Sequence, residues 1–233
     1  MTTLADAEAA AEAGADLLGF IFYEKSPRAV DARTVAAIVA ALKASKPWAV
    51  SGTQVESWPS ATSPASKPAR KEHHPPLFVG VFVNASLEQV VRTLNYCDLD
   101  LAQLHGEEPP ELLAALPARA YKALRPRDAH EASQQAAAFG HFGPVHGPHL
   151  LVDAWHPGLR GGSGQTGDWR LAAALAAQYP LLLAGGLTPD NVAAAIAQVQ
   201  PWGVDVASGV EAAPGRKDHA KLRAFFQAVN DIR

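Results

Sequence analysis

The chain has 233 residues, 48% of them hydrophobic and 18% charged, enough for one sizeable core and too apolar for a disordered chain. A net charge of −3 offers no basic footprint for nucleic acid or an anionic membrane, and no apolar run reaches the length of a membrane span. The single cysteine, Cys97, excludes an internal disulfide framework and fits a reducing, cytoplasmic setting. Asp6, Glu8 and Glu12 interrupt the N-terminal region where a secretory leader needs an apolar stretch.

The first predicted element is a helix over Leu4–Ala13, with Thr3 as N-cap and Gly14 as its C-terminal stop. Asp16–Tyr23 is a short apolar run of the kind buried on both faces in a parallel sheet. Asp31 opens a helix to Ala44, with Val35, Ile38, Val39 and Leu42 at helical spacing. Residues 46–76 change texture: six prolines and Gly52 sit among Ser, Thr, Lys and Glu, with Trp48 and Trp58, and no periodicity runs through them. This reads as a Pro/Ser-rich insert within one barrel domain spanning residues 1–233, placed on the face away from chemistry.

Strand and helix then alternate. Leu77–Val83 is a strand and Ser86–Tyr96 a helix with a Ser86/Gln89 capping box. Asp100–Leu104 is a strand, Pro109–Leu116 a short helix, Arg119–Leu124 a strand and Pro126–Phe139 a helix. His149–Asp153 is a strand, followed by a Gly-rich loop and a helix over Asp168–Gln178. Leu181–Ala184 is a strand, Pro189 stands at the first position of a helix ending near Gln198, Gly203–Ala207 is a strand, and Asp218–Ile232 is the last helix. The alternation predicts a parallel α/β sheet, and its length suits a (β/α)8 TIM barrel, with an open doubly wound sheet as the alternative. A barrel needs eight strands and the reading finds seven, beginning with a helix; the expectation is a barrel lacking its first β-strand in this chain.

Active sites of such barrels lie at the C-terminal ends of the strands. There the chain carries Arg28, Asn84, His105–Gly106, Asp153, Gly161–Gly164, Gly185–Gly186 and Ser208–Gly209. Glycines let backbone N–H groups approach phosphate oxygens, and helix N-termini favour anions, so the three late loops are expected to cradle a phosphate. Asp153 closes an apolar strand and would stand partly desolvated at the mouth, suited either to a general acid or to capping the next loop. Arg28 could hold a carboxylate in a bidentate fork or form a surface ion pair, and His105 either contacts a ligand or packs its loop. His141, His146, His149 and His156 match no standard zinc spacing, so no metal is expected, and Cys97, at a helix end, reads as a packing residue.

In order along the chain, Gly19–Tyr23, Ser26–Arg28, Gly80–Asn84, Gln103–Gly106, Leu151–Asp153, Gly161–Gly164, Leu183–Leu187 and Asp205–Glu211 resemble phosphoribosylanthranilate isomerase, and only the 46–76 insert lies outside the likeness. The resemblance implies an Amadori rearrangement of a phosphoribosyl aminal of anthranilate in tryptophan biosynthesis, without cofactor or metal. It implies Asp153 as general acid, and a small phosphorylated substrate bound by Arg28, His105, Gly162, Gly164, Gly185, Gly186, Ser208 and Gly209. In that family the first strand reads approximately Lys-Ile-Cys-Gly-Ile-Thr and its cysteine is the general base. Here Met1–Thr3 aligns with the residues just after that Cys-Gly, so the chain as given is expected to be impaired. Two other readings remain at this point: a phosphate-binding barrel without turnover, and a second barrel enzyme such as indole-glycerol-phosphate synthase, for whose catalytic lysines Lys25 and Lys122 are poor candidates.

Overall fold

A computed structural model describes residues 1–45, 76–145, 147–153 and 169–232. The insert, except Pro76, and the Gly161–Gly164 loop lie outside these residues. Seven parallel strands, β1 (Leu17–Ile21), β2 (Leu77–Phe82), β3 (Leu101–Leu104), β4 (Ala120–Leu124), β5 (Leu150–Asp153), β6 (Leu181–Ala184) and β7 (Gly203–Val204), pair in simple chain order. A doubly wound sheet reverses its strand order at a switch point. Here every strand pairs with its predecessor, which is barrel topology and removes the alternative.

Because side chains alternate along a strand, the sheet builds two cores. Val79, Leu101, Tyr121, Ala123, Leu151, Leu182 and Ala184 meet inside the curl. Leu18, Phe20, Phe78, Leu104, Leu150 and Leu181 point outward onto helices, where Val35, Leu94 and Phe225 cover them. Burial on both faces is why these strands read as continuous apolar runs.

The helices are α1 (Leu4–Ala13), α2 (Ala32–Ala44), α3 (Leu87–Tyr96), α4 (Pro110–Ala114), α5 (Ala129–Phe139), α6 (Trp169–Ala176), α7 (Val192–Val199) and α8 (His219–Asn230). Their starts are written locally. Thr3 accepts from the Asp6 N–H, Asp31 from Thr34, and Ser86 with Gln89 forms the complete capping box. Gly14 ends α1 in the left-handed region at φ 96°. Pro189 does not start α7: Asn191 accepts from the Thr188 N–H at 2.8 Å and donates to the Gly186 carbonyl at 3.0 Å, a turn that delays the helix. The strand expected over Gly203–Ala207 shortens to Gly203–Val204, and Ser208–Val210 makes a 3₁₀ turn. An antiparallel hairpin of β8 (Glu211–Ala213) and β9 (Arg216–Lys217) follows, with Gly215 at φ 81° in its turn. None of the described helices is long and apolar enough to cross a membrane.

The start of α1 is fastened to the start of α8. Asp6 accepts from the Lys217 N–H at 3.2 Å, and its other oxygen lies 2.8 Å from His219 Nε2. Burial works to raise the Asp6 carboxyl, but the hydrogen bonds from His219, Lys217 and Thr3 outweigh it and hold it below its ordinary value. A folded value lower than the unfolded one, about 3.9, means that this contribution is complete above that pH and disappears as the pH falls through the folded value. The stability gap between the native chain and Asp6→Asn, read from urea midpoints, should be flat from neutral pH to about pH 5 and close toward pH 2. A gap that persists unchanged in acid would show that the carboxylate's charge is not what matters.

Candidate active site

Parallel strands place all their C-terminal ends at one rim, so Arg28, Asn84, His105, Asp153, Gly185–Gly186 and Ser208–Gly209 share one mouth. Asp153, last residue of β5, pairs in register with Ala184, the residue before Gly185, which sets the acid beside the first glycine loop. Gly185 and Gly186 take φ 97° and 65°, a backbone that only glycine enters without strain. The next loop touches this one directly, since a Cβ on Gly209 would lie 1.8 Å from the Leu187 carbonyl oxygen. Gly209→Ala must therefore push the loops after β6 and β7 apart. Displacements near 1 Å at a binding site cost up to about 10²-fold, and affinity for a phosphorylated ligand, measured calorimetrically, is expected to fall by at least about tenfold. Gly162 and Gly164 belong to the segment that is not described.

His105 follows β3 and sits over the inner core. Gln103 donates through Nε2 to the buried Tyr121 hydroxyl at 2.9 Å, which turns its Oε1 toward His105 Nδ1, also at 2.9 Å. In that arrangement Nδ1 carries the proton and Nε2 keeps its lone pair. Burial lowers the imidazole below its ordinary range, helped by the charge of Arg125 and opposed by that of Asp153. His105 is thus a neutral ring with an acceptor to spare, within electrostatic reach of Asp153.

Asp205, the first residue after β7, was not singled out by the sequence reading, although it too follows an apolar strand. Its N–H donates to the Leu183 carbonyl at 2.8 Å. It keeps solvent-exposed surface, yet protein atoms crowd its carboxyl, and desolvation raises it. The charge of Lys217 opposes that rise and the charge of Asp153 adds to it.

Arg28 is not free. Its Nε donates to Glu211 Oε1 and Oε2 at 2.8 and 3.1 Å, and Nη2 donates to Oε2 at 2.6 Å. Burial tends to raise the Glu211 carboxyl, but the Arg28 hydrogen bonds and the charge of Lys217 bring it below its ordinary value. Lys217 Nζ stands 3.7 Å from Glu211 and donates to the Ala207 carbonyl at 2.9 Å. Sequence separation hid this cluster, since Arg28 and Glu211 lie at opposite ends of the chain.

The remaining candidates lie elsewhere. Lys122 points away from the mouth into the outer layer, where Nζ pairs with Glu108 at 3.0 Å, which removes it as a catalytic lysine. Cys97 is 1% exposed at the C-terminal end of α3, within the outer core, and burial pushes its thiol up. His149 Nδ1 faces the Gly140 carbonyl and the His141 ring packs tilted against Phe142, while His146 and His156 are outside the described residues. Among the described residues no three His, Cys, Asp or Glu side chains gather as metal ligands would.

A sequential parallel curl of strands with acids, an arginine and glycine loops on its strand-end rim belongs to the TIM-barrel class, in which enzymes carry their active sites at that rim. A model of the N-(5'phosphoribosyl)anthranilate (PRA) isomerase family matches residues 44–228. The N-(5'-phosphoribosyl)anthranilate isomerase of Pelobacter propionicus is 40% identical over 239 aligned residues, covering all of this chain and 94% of the relative. That of Geobacter sulfurreducens is 42% identical, covering 97% and 94%. The crystal structure of phosphoribosyl anthranilate isomerase from Thermotoga maritima superposes with a TM-score of 0.76 at 33% identity, over 99% of this chain and 96% of that one. Another, of the isomerase in complex with reduced 1-(o-carboxyphenylamino)-1-deoxyribulose 5-phosphate, superposes at 0.73 with 31% identity, over 99% and 95%. The chain belongs to the phosphoribosylanthranilate isomerase family. Its activity is the family's intramolecular aldose–ketose isomerisation in tryptophan biosynthesis.

Proposed function

We propose that the rearrangement of N-(5-phosphoribosyl)anthranilate to 1-(2-carboxyphenylamino)-1-deoxyribulose 5-phosphate runs at this mouth with Asp153 as general acid. Asp153 gives its proton to the ribose ring oxygen as the bond from that oxygen to C1′ breaks, and the aniline nitrogen's lone pair forms the Schiff base. A base then takes the C2′ proton, and the resulting enolamine gains a proton at C1′ as its C2′ hydroxyl gives one up, which leaves the ketone. The loops at Gly185–Gly186 and Ser208–Gly209, with Gly162 and Gly164, hold the phosphate. Arg28 holds the anthranilate carboxylate, and His105, neutral with Nε2 as acceptor, takes a hydrogen bond from the sugar or the aniline N–H. The chemistry is proton movement at carbon, nitrogen and oxygen and needs no cofactor or metal, as suits a cytoplasmic enzyme acting on a small anion.

The observation that carries this reading is the register of Asp153 with Ala184, which sets the acid against the glycine loops. None of the described residues at the rim is a cysteine. Among those residues no ladder joins β1 to β7, and the outer edge of β1 takes the Met1 ammonium at the Gly19 carbonyl and the Val30 N–H at the Ile21 carbonyl; the family's cysteine-bearing first strand would run at this seam. The base is assigned to a cysteine on that strand. In a coupled assay with phosphoribosylanthranilate, residues 1–233 should turn over well below the same chain extended at its N-terminus by a Lys-Ile-Cys-Gly segment. Equal rates would place the base among the residues already present.

A further inference from the structure

We infer that Glu211 is a positioning residue for substrate recognition: by filling one fork of the Arg28 guanidinium it turns the other fork toward the incoming aryl carboxylate. A guanidinium offers a carboxylate two planar forks, one from Nε with Nη2 and one from Nη1 with Nη2. Glu211 occupies the first completely, with three contacts between 2.6 and 3.1 Å. Only the second remains for a ligand.

The device is anchored at both ends. The Arg28 N–H donates to Ser26 Oγ at 3.1 Å, fixing the backbone from which the side chain rises. Glu211 is the first residue of β8, and its Oε1 also accepts from the Gly215 N–H at 3.3 Å, so the hairpin turn holds the carboxylate that holds the arginine. The Glu211 side chain is 5% exposed while that of Arg28 is 26% exposed, which fits a buried anchor and a working face left in solvent. A free arginine loses up to about 2 kcal/mol of rotamer freedom when it closes on a ligand. One already locked by Glu211 has lost it on folding. Glu211 also repels an approaching carboxylate, but Arg28 and Lys217, the latter at 3.7 Å, flank it with two cations that offset this repulsion.

The inference rests on the assignment of Arg28 as the carboxylate holder, and the test separates the two. The probes are reduced 1-(o-carboxyphenylamino)-1-deoxyribulose 5-phosphate and the same compound without its ring carboxylate, with Kd measured calorimetrically, so that turnover is not required. Arg28→Ala, Glu211→Ala and Glu211→Gln should each weaken the carboxylate ligand, the alanine variants by about ten- to a hundredfold, as for a lost charge-assisted pair. Each should leave the decarboxylated ligand unchanged, and Arg28→Ala with Glu211→Ala should lose no more than Arg28→Ala alone. Glu211→Gln is nearly isosteric and decides the matter if the alanine variant does not fold. If Arg28→Ala changes neither ligand, the Arg28 assignment fails and the inference with it. Should Arg28→Ala act as expected while the Glu211 variants spare both ligands, weaken both alike or tighten the carboxylate ligand, the inference alone is overturned.

Discussion

Asp153→Asn is expected to lower kcat on phosphoribosylanthranilate by about 10²–10⁴, the usual worth of a positioned general acid, in a chain that carries the cysteine strand. Asparagine keeps the shape and the place at the end of β5 but has no proton to give the ring oxygen. Affinity for the reduced product should barely change, because that ligand has no ring to open, so the loss falls on kcat and not on KM. A drop of less than about tenfold would be too small for the acid of this step. Asp205 and His105, both of which feel the charge of Asp153, would then be the groups to replace next.

The largest effect on stability is expected at Lys122. This lysine lies in the middle of β4, 4% exposed, and its ammonium donates to Glu108 and to the carbonyls of Leu104, Gly106 and Ala123 at 2.7–3.2 Å. Glu108 in turn accepts the N–H groups of Asn84 and Gly106 at 2.8–3.0 Å. Burial works to raise the Glu108 carboxyl, but the Lys122 charge and the hydrogen bonds hold it below its ordinary value. Lys122→Met would strand that carboxylate in the outer core at a cost of about 3–5 kcal/mol. For a chain of this length that is a fall of roughly 6–20 °C in Tm. Glu108→Gln in the same background removes the stranded charge and still accepts one N–H, so part of the loss should return. A single Lys122→Met variant that melts within about 2 °C of the native chain would mean that the pair adds nothing. Because the same network holds the backbone of Gly106, the variant should also loosen the neighbouring His105.

Most of the scaffold was legible because its signals are local. Thr3, Asp31 and the Ser86/Gln89 pair mark helix starts within one turn of chain, and Leu181–Ala184 is bounded by turn formers on both sides. The β8–β9 hairpin was missed because strands of two and three residues have no period to detect, and Pro189 misled because Asn191 builds a turn after it. At the site, the rim positions followed from counting strand ends. The pairs did not: Arg28 meets Glu211 across 183 positions. Lys122 did leave a trace, since a lysine inside Ala120–Leu124 on a doubly buried strand must find a partner. Its partner, Glu108, sits in an unremarkable loop.

The small hairpin after β7 has a mechanical consequence. Gly215 lies close to Pro27 and Arg28, and the Thr2 hydroxyl donates to the Gly215 carbonyl, so the hairpin clasps the first rim loop to the last one across the seam of the ring. Glu211, which holds Arg28, follows Ser208–Gly209 by two residues, so whatever slides or spreads that seam reaches the arginine and the late glycine loop together.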